Sequence, residues 1–409
     1  MTTVRRRGAA ALAASAVLGV AVASAASPAA AAPTPSPSAA LPAGLYGTGD
    51  PTYDGVWRQA LALLAQDTVG VTPAEKAVEW LTGQQCDNGA FAAYRADTKA
   101  ACAAKLPLDS NATAAAVQAL AALGGQDETV KKSVDWLTKV QNADGGWGYN
   151  PGGASDANST SIVIGALAAA GAKPGEVTSK DGKSPYDALL TFATPCGGEN
   201  GGAFVFQPKQ PGIVADSTAA AVVAAKGEGL AAKAGAKDSG DSCEPAKTIE
   251  GAAHNGAVYL ATALAKTGHL LTPPMPGSDD PSKKPDFGNT ADAVVALTAQ
   301  GMADRAKKPL EWLEANAADW AKESGPAAYA QLILAAEAAG ADPKSFGTTD
   351  LVAGLNATGP EPRAEKASKD SDAAPDSDSG SGMWWFVGAF FAAAVGVGVL
   401  FGGRRKSQR

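Results

Sequence analysis

The sequence predicts an all-α protein built from about six helical hairpins. The first observation is an internal repeat, in which a helix bearing Trp80 or Trp136 runs into a glycine-rich loop. Its clearest copies are residues 77–94 (AVEWLTGQQCDNGAFAAY) and 133–150 (SVDWLTKVQNADGGWGYN), with a third in 186–206. The second observation is that an alanine-rich helix, apolar nearly all round, follows each loop and is therefore expected to be buried. Further helices at the start and end of this region bring the total to about twelve.

A cluster of helix-capping residues precedes each apolar helix. The clusters are DSNAT from Asp109, DANST from Asp156, DSTAA from Asp216 and NTADA from Asn289. Side chains of Asp, Asn, Ser and Thr accept hydrogen bonds from the free backbone N–H groups of a first helical turn. The apolar helices are therefore predicted to begin at these clusters, and most of them end near glycine, a common C-terminal signal.

The order of helix, Q-x-x-D-G-G-W loop, D-x-T-A cluster and helix resembles the squalene-cyclase repeat of terpenoid cyclases and protein prenyltransferases. The resemblance covers nearly all of residues 45–355 and implies an α6/α6 toroid. In this fold the inner helices are parallel and their N-termini meet at one mouth. The resemblance also implies that Trp147, with Phe91 and Phe204 in other copies, ties its loop to the flanking helices.

The two ends of the chain predict export and anchoring. Arginines 5–7 precede an uncharged run with small residues after it, as in a secretory signal peptide. Residues 383–403 carry no charge over 21 positions and precede a basic tail, which predicts a membrane span with a cytoplasmic C-terminus. The predicted order is signal peptide 1–32, Pro/Ala spacer 33–44, toroid 45–355, acidic disordered stalk 356–382, transmembrane helix 383–403 and cytoplasmic tail 404–409.

Four cysteines in an exported chain predict two disulfides. The simplest pairing is sequential, Cys86 with Cys102 and Cys196 with Cys243, although three pairings are compatible with the sequence. The net charge is −7 and there is no basic patch, so a nucleic-acid partner is not expected.

Several enzymatic chemistries are weakly represented. Terpenoid cyclases use a D-x-D-D acid motif, but each cluster here offers at most two carboxylates, and Asp216 is the nearest candidate for a catalytic acid. A glycan hydrolase or lyase would need two placed carboxylates, which the inner-helix acids could supply if they are not merely caps. Asp241, Cys243 and His254 superficially match a prenyltransferase zinc set, but no metal or other cofactor is predicted. Cys196 with Glu199 lacks the glutamine of a thioester.

The sequence therefore favours a cell-surface protein that binds a small molecule or docks a partner, with an enzyme on the same scaffold as the alternative. The barrel half of transcobalamin-like carriers is the nearest functional analogue, which suggests a corrinoid-type or small apolar, isoprenoid-like ligand and a separate β-domain protein or transporter as partner. Helix N-termini at the mouth favour anionic groups. The predicted mouth residues are Asp109, Asn111, Asp156, Asn158, Asp216, Ser217, Asn289 and Asp292, followed by the aromatic residues Tyr94, Trp147, Tyr149 and Phe206.

Overall fold

The computed structural model describes residues 42–272 and 283–364, and this part of the chain is an α/α toroid. Its α-helices are α1 (Gly55–Thr68), α2 (Glu75–Gly83), α3 (Ser110–Leu123), α4 (Asp127–Lys139), α5 (Ala157–Ala169), α6 (Pro185–Phe192), α7 (Val214–Ala225), α8 (Ile249–Leu264), α9 (Phe287–Ala299), α10 (Ala303–Asn316), α11 (Ala318–Ser324), α12 (Pro326–Ala339) and α13 (Leu351–Asn356). Two 3₁₀ turns, Pro174–Glu176 and Pro343–Ser345, and a two-stranded antiparallel pair, β1 (Leu270–Leu271) with β2 (Pro285–Asp286), complete the described structure.

The inner ring consists of α1, α3, α5, α7, α9 and α12. Each of these helices packs against the next, and α12 packs against α1, so that the ring is closed. The outer helices α2, α4, α6, α8, α10 and α13 pack against the inner helix that precedes each of them. The predicted six hairpins are thereby confirmed. The inner helices are the alanine-rich segments of the sequence, and small side chains allow six helices to approach one axis.

A buried threonine fixes four of the inner helices to the loops that precede them. The side-chain oxygens of Thr113, Thr160, Thr218 and Thr290 accept the backbone N–H of Phe91, Trp147, Phe204 and Leu270, at 2.9–3.1 Å. All four threonines are fully buried. Because a buried backbone N–H must find an acceptor, this contact sets the position of each loop along its inner helix.

The glycine-rich loop is held from its other side by the outer helices. Gly145 has a positive φ of 92°, and a Cβ there would collide with the carbonyl oxygen of Ser184 at the start of α6. The Trp147 ring is 1 % exposed, and its Nε1–H donates to the Leu137 carbonyl of α4 at 2.8 Å. Trp147 therefore has the structural role that the resemblance implied.

Both disulfides have the sequential pairing. Cys86 is bonded to Cys102 and Cys196 to Cys243, closing segments of 16 and 47 residues. The second closes the segment that contains α7 and ties a long irregular stretch, residues 226–248, to the loop before that helix. Disulfides of this kind are typical of proteins that mature in an oxidising compartment.

The structure describes only a small part of the segments predicted at the two chain ends. The predicted signal peptide and transmembrane helix lie outside the described residues, as do most of the spacer and stalk. Within residues 42–272 and 283–364, no helix has the length and apolarity to cross a membrane. Residues 356–364, which the sequence places in the stalk, contact the body: Arg363 donates from its backbone N–H to the Thr72 carbonyl at 3.0 Å.

Replacing Thr160 by valine is expected to lower the free energy of unfolding by about 1–3 kcal/mol, because the buried N–H of Trp147 loses its acceptor while the shape is preserved. Chemical denaturation measures this change. The matched control is Thr262→Val on α8, where an exposed hydroxyl donates to the carbonyl four residues earlier; its effect should stay within about 0.5 kcal/mol. Equal effects of the two changes would contradict the role given to Thr160.

Candidate functional site

The inner helices enclose a cavity of about 260 Å³ on the axis of the ring. Every inner helix contributes at least one polar or aromatic side chain to its wall. These side chains are Trp57 of α1, Asn111 of α3, Asn158 of α5, Asp216 of α7, Asp292 of α9 and Gln331 of α12. Since all six lie in the first two turns of their helices, the polar groups gather at the N-terminal end of the ring.

The register set by the threonines explains which residues reach the cavity. Asn111, Asn158 and Asp216 each stand two positions before the buried threonine of their helix, so they occupy equivalent places in three copies. In α9 this place is taken by Gly288, where an added Cβ would lie 3.4 Å from Gln331 Oε1 and 3.8 Å from Trp320. The carboxylate of α9 enters instead from Asp292, two positions after Thr290.

Hydrogen bonds orient the polar groups of α5 and α7. The Asn158 amide Nδ2 donates to Asp216 Oδ2 at 2.5 Å, and Asn158 Oδ1 accepts from the hydroxyl of Ser217 at 2.7 Å. The second of these bonds fixes the orientation of the amide group. Asn158 therefore presents its N–H groups to the carboxylate, and Asp216 is ionised more readily than its burial alone would allow.

Asp292 is the most strongly perturbed acid of the described residues. Desolvation and the nearby Asp216 carboxylate raise its pKa from the usual 3.8 to about 7, against the opposing hydrogen bonds from Gln331 Nε2 at 3.3 Å. Desolvation also raises the pKa of Asp216, with added repulsion from Asp286 and Asp156, while the bond from Asn158 lowers it. Near neutral pH the pair therefore still retains part of a proton, and it carries less than its full charge of two.

The other end of the cavity is apolar and is closed by residues 228–230. Side chains of Leu61, Val223 and Leu334 form the wall there. The segment 228–230 packs closely on α5, since a Cβ on Gly165 would lie 2.7 Å from the Gly229 Cα. The Leu230 N–H donates to Gln118 Oε1 at 2.8 Å, which holds the segment in place.

Two polar atoms of the cavity wall have no hydrogen-bond partner among the described residues. They are the hydroxyl oxygen of Ser161, whose side chain is 4 % exposed, and the amide oxygen Oδ1 of Asn111. Leaving a buried polar group unpaired costs about 1–3 kcal/mol. The wall of the cavity is therefore built with free hydrogen-bonding capacity.

The structure brings together four of the twelve predicted mouth residues, namely Asn111, Asn158, Asp216 and Asp292. Ser217 and Asn289 lie beside this group without lining the cavity; Asn289 donates to Asp286 Oδ2 at 2.7 Å. The capping role considered for the inner-helix acids holds for Asp109 and Asp156, which accept from Ala112 and Ser159 N–H. It is wrong for Asp216 and Asp292, because α7 begins after Ile213 and Asp286 caps α9.

The predicted aromatic residues do not line the cavity. Trp147 is buried in its loop, and Tyr94 stacks on Trp80 with ring centroids 6.4 Å apart. Tyr149 is half exposed beside Asp109, and desolvation together with that carboxylate raises the pKa of its hydroxyl. Phe206 is half-buried in the loop before α7.

Three lining residues were not predicted from the sequence, namely Trp57, Ser161 and Gln331. Trp57 and Gln331 lie on α1 and α12, which lack the D-x-T-A cluster that marked the other inner helices. Counting from the threonine of each cluster, instead of from its first polar residue, would have placed Asp216 on the cavity face with Asn111 and Asn158. Ser161 carries no sequence signal of its own.

The residues considered from the sequence for a zinc site and for a thioester have other roles in the structure. Cys243 and Cys196 are both in a disulfide, so neither is free as a zinc ligand or thioester nucleophile. His254 Nδ1 lies 2.7 Å from Asp238 Oδ2 in a contact that ties α8 to the 226–248 stretch. Within the described ranges, no group of three or more His, Cys, Asp or Glu side chains is arranged to hold a metal ion.

Comparisons with known proteins agree with this architecture. Residues 51–202 match the family model of the prenyltransferase alpha-alpha toroid domain, so this part of the chain is similar to that domain. No curated protein matches the chain.

Solved structures that align with the chain include an ent-copalyl diphosphate synthase from Streptomyces platensis (16% identity, 70% of this chain and 50% of that one, TM-score 0.47). A protein from Actinoplanes aligns at 15% identity over 73% and 80% of the two chains, with a TM-score of 0.43. The type II terpene cyclase MstE from Scytonema aligns at 15% identity over 66% and 72%, with a TM-score of 0.41. The chain thus spans half the length of the synthase, and identities this low do not carry the neighbours' activities over to it.

Replacing Asp292 by asparagine is expected to stabilise the folded chain at pH 8 by about 1 kcal/mol or more, since one pKa unit corresponds to ~1.4 kcal/mol. The raised pKa means that ionised Asp292 is penalised in the folded state only. This penalty is absent below about pH 4, grows as the pH rises to 7, and is constant above. Denaturation of both chains at pH 4 and pH 8 measures it. The exposed Asp181→Asn should show no such pH-dependent gain, and a variant equally stable at both pH values would contradict the assignment.

Proposed function

We propose that the chain is an extracytoplasmic binding protein whose central cavity holds a small, largely apolar organic molecule without transforming it. The observation that carries the proposal is the cavity itself, formed by all six inner helices, apolar at one end and polar at the other. Small-molecule sites have this character: hydrophobic walls with a few placed polar groups. An engineered apolar cavity of about 150 Å³ admits benzene, so about 260 Å³ suits a somewhat larger ring or a short branched chain.

The size of the cavity argues against the larger ligands considered from the sequence, a corrinoid and a glycan. Sites for drug-sized molecules occupy roughly 300–1,000 Å³, and a corrin ring is larger than most such molecules. A corrinoid would therefore have to lie across the mouth, against a second protein such as the separate β-domain or transporter proposed from sequence. A glycan chain is equally poorly accommodated, which argues against the hydrolase alternative.

Export and anchoring form part of the proposal. The two disulfides support an oxidising compartment, and the sequence of residues 1–32 and 383–403 supports a signal peptide and a membrane anchor. A tethered binding protein of this kind would present its ligand to a partner at the membrane surface.

A second candidate function is acid catalysis on a short isoprenoid. It is favoured by Asp292, a carboxylic acid of the cavity wall whose raised pKa of about 7 leaves a substantial protonated fraction at neutral pH. Perturbed acids in cavities are frequent at catalytic sites. Against this reading, no second acid stands beside Asp292 on α9 as in a D-x-D-D motif.

Cyclohexanol and cyclohexylamine are expected to bind the full chain, since both fit the cavity, and calorimetry measures their affinities. Ala220→Phe should abolish both signals, because Ala220 lines the cavity on α7 and the larger ring fills it. The matched control is Ala263→Phe on the exposed face of α8. Failure of both compounds to bind would reject the proposed function. Conversion of geraniol to a new product by the full chain, but not by Asp292→Asn, would support acid catalysis in place of binding alone.

A further inference from the structure

The polar end of the cavity carries negative charge that no basic residue of the lining offsets. Asp216 and Asp292 lie at this end, and Glu228, in the segment 228–230 that closes the opposite end, adds a third carboxyl group to the lining. Among the described residues that line the cavity there is no Lys, Arg or His. A charge moved out of water needs a partner of opposite sign, so the cavity is expected to exclude anions.

The lining also offers acceptor oxygens beside the amide N–H groups of Asn158 and Gln331, which already donate to Asp216 and Asp292. Asn111 Oδ1 has no donor among the described residues, and Asp216 receives its bond from Asn158 on one carboxylate oxygen, Oδ2. Ser161 Oγ, buried and unpartnered, can accept as well as donate. The indole of Trp57 adds an aromatic face, which attracts a cation by its quadrupole.

We propose that the cavity selects a small organic cation, a protonated amine or ammonium compound with a compact apolar body, over neutral and anionic molecules of the same shape. The inference rests on the proposed function, because it assigns a ligand class to the same cavity. The ammonium group would lie among Asp216, Asp292 and the Asn111 oxygen, with its apolar body toward Leu61, Val223 and Leu334.

This selection reverses the preference for anions expected from the helix N-termini alone. Each N-terminus carries roughly half a positive charge, whose effect falls off within the first turn. At α3, α5 and α9 the carboxylates of Asp109, Asp156 and Asp286 cap that terminus directly. Asp216 and Asp292 add their negative charge to that of these capping carboxylates. The net charge at this end of the cavity is therefore negative.

Selection of a cation is expected to depend on pH. The titratable groups around Asp292 are Asp216 on α7, Asp286 at the start of α9 and, through Asp216, Asp156 before α5. Glu228 of the closing segment also lines the cavity, whereas α1, α3 and α12 contribute only neutral side chains to the lining. Because a proton on Asp292 removes half of the charge of the pair, affinity for a cation should fall as the pH drops below about 7.

The test compares three probes of one shape with the full chain at pH 8: cyclohexylamine, cyclohexanol and cyclohexanecarboxylate. Calorimetry should give an affinity for the amine at least tenfold above that for the alcohol, with the carboxylate weakest. The preference for the amine should fall severalfold at pH 5.5 and should be lost in Asp216→Asn. It should persist in the exposed control Asp181→Asn, and a melting curve of each variant confirms folding.

The outcomes separate the two proposals. Equal binding of amine and alcohol, or a preference that survives in both Asp216→Asn and Asp292→Asn, would overturn the selection of cations while leaving the cavity as a binding site. Tighter binding of the carboxylate would overturn it in the same way. Failure of all three probes would reject the proposed function, and with it the inference that rests on it.

Discussion

One hydrogen bond, repeated around the ring, sets the frame in which the cavity is built. In four copies a buried threonine of the inner helix accepts the backbone N–H of the loop residue that precedes the helix. The bond fixes the height of each inner helix against its loop, and the loop in turn is fixed to an outer helix through Gly145 and Trp147 in the clearest copy. Side chains two positions before the threonine therefore reach the axis at the same level.

The candidate site arises where the copies differ. If every copy had the same residue two positions before its threonine, the cavity would have a uniform ring of polar groups. Three copies instead have two amides and one carboxylate at this position, and α9 has Gly288. The second carboxylate then enters at Asp292, deeper in its helix and less solvated. Part of this asymmetry also serves packing, because Asn158 of α5 bonds to Asp216 and Ser217 of α7. The two carboxylates of the wall are what the proposed selection of a cation depends on.

Much of the fold could be predicted from the sequence, because each hairpin carries its own local signals: a tryptophan or phenylalanine loop, a capping cluster and a small apolar helix. The disulfides have the simplest of the three pairings that the sequence leaves open. The site was predicted less completely. Alignment of the clusters on their first polar residue treated Asp216 as a cap, although its threonine stands two positions later and that of Asp109 four. Trp57 and Gln331 line the cavity because α1 packs against α12 when the ring closes. No local sequence pattern predicts that contact.

That closure has its own consequence for how the molecule folds. Helix α1 packs against α12, and two hydrogen bonds join the same ends of the described chain: Tyr46 hydroxyl to the Pro360 carbonyl at 3.4 Å, and Gln66 Nε2 to Asn356 Oδ1 at 2.6 Å. Neighbouring hairpins can assemble in chain order through local contacts, whereas the seam between α1 and α12 must wait until nearly the whole body exists, since contacts of large sequence separation are costly to form early. A nascent or partly folded chain is thus an open arc whose two apolar end helices, α1 and α12, are exposed together. Contact between α1 and α12 closes the ring. If two partly folded chains associate first, α1 of one chain could pack against α12 of the other, which would be a domain swap.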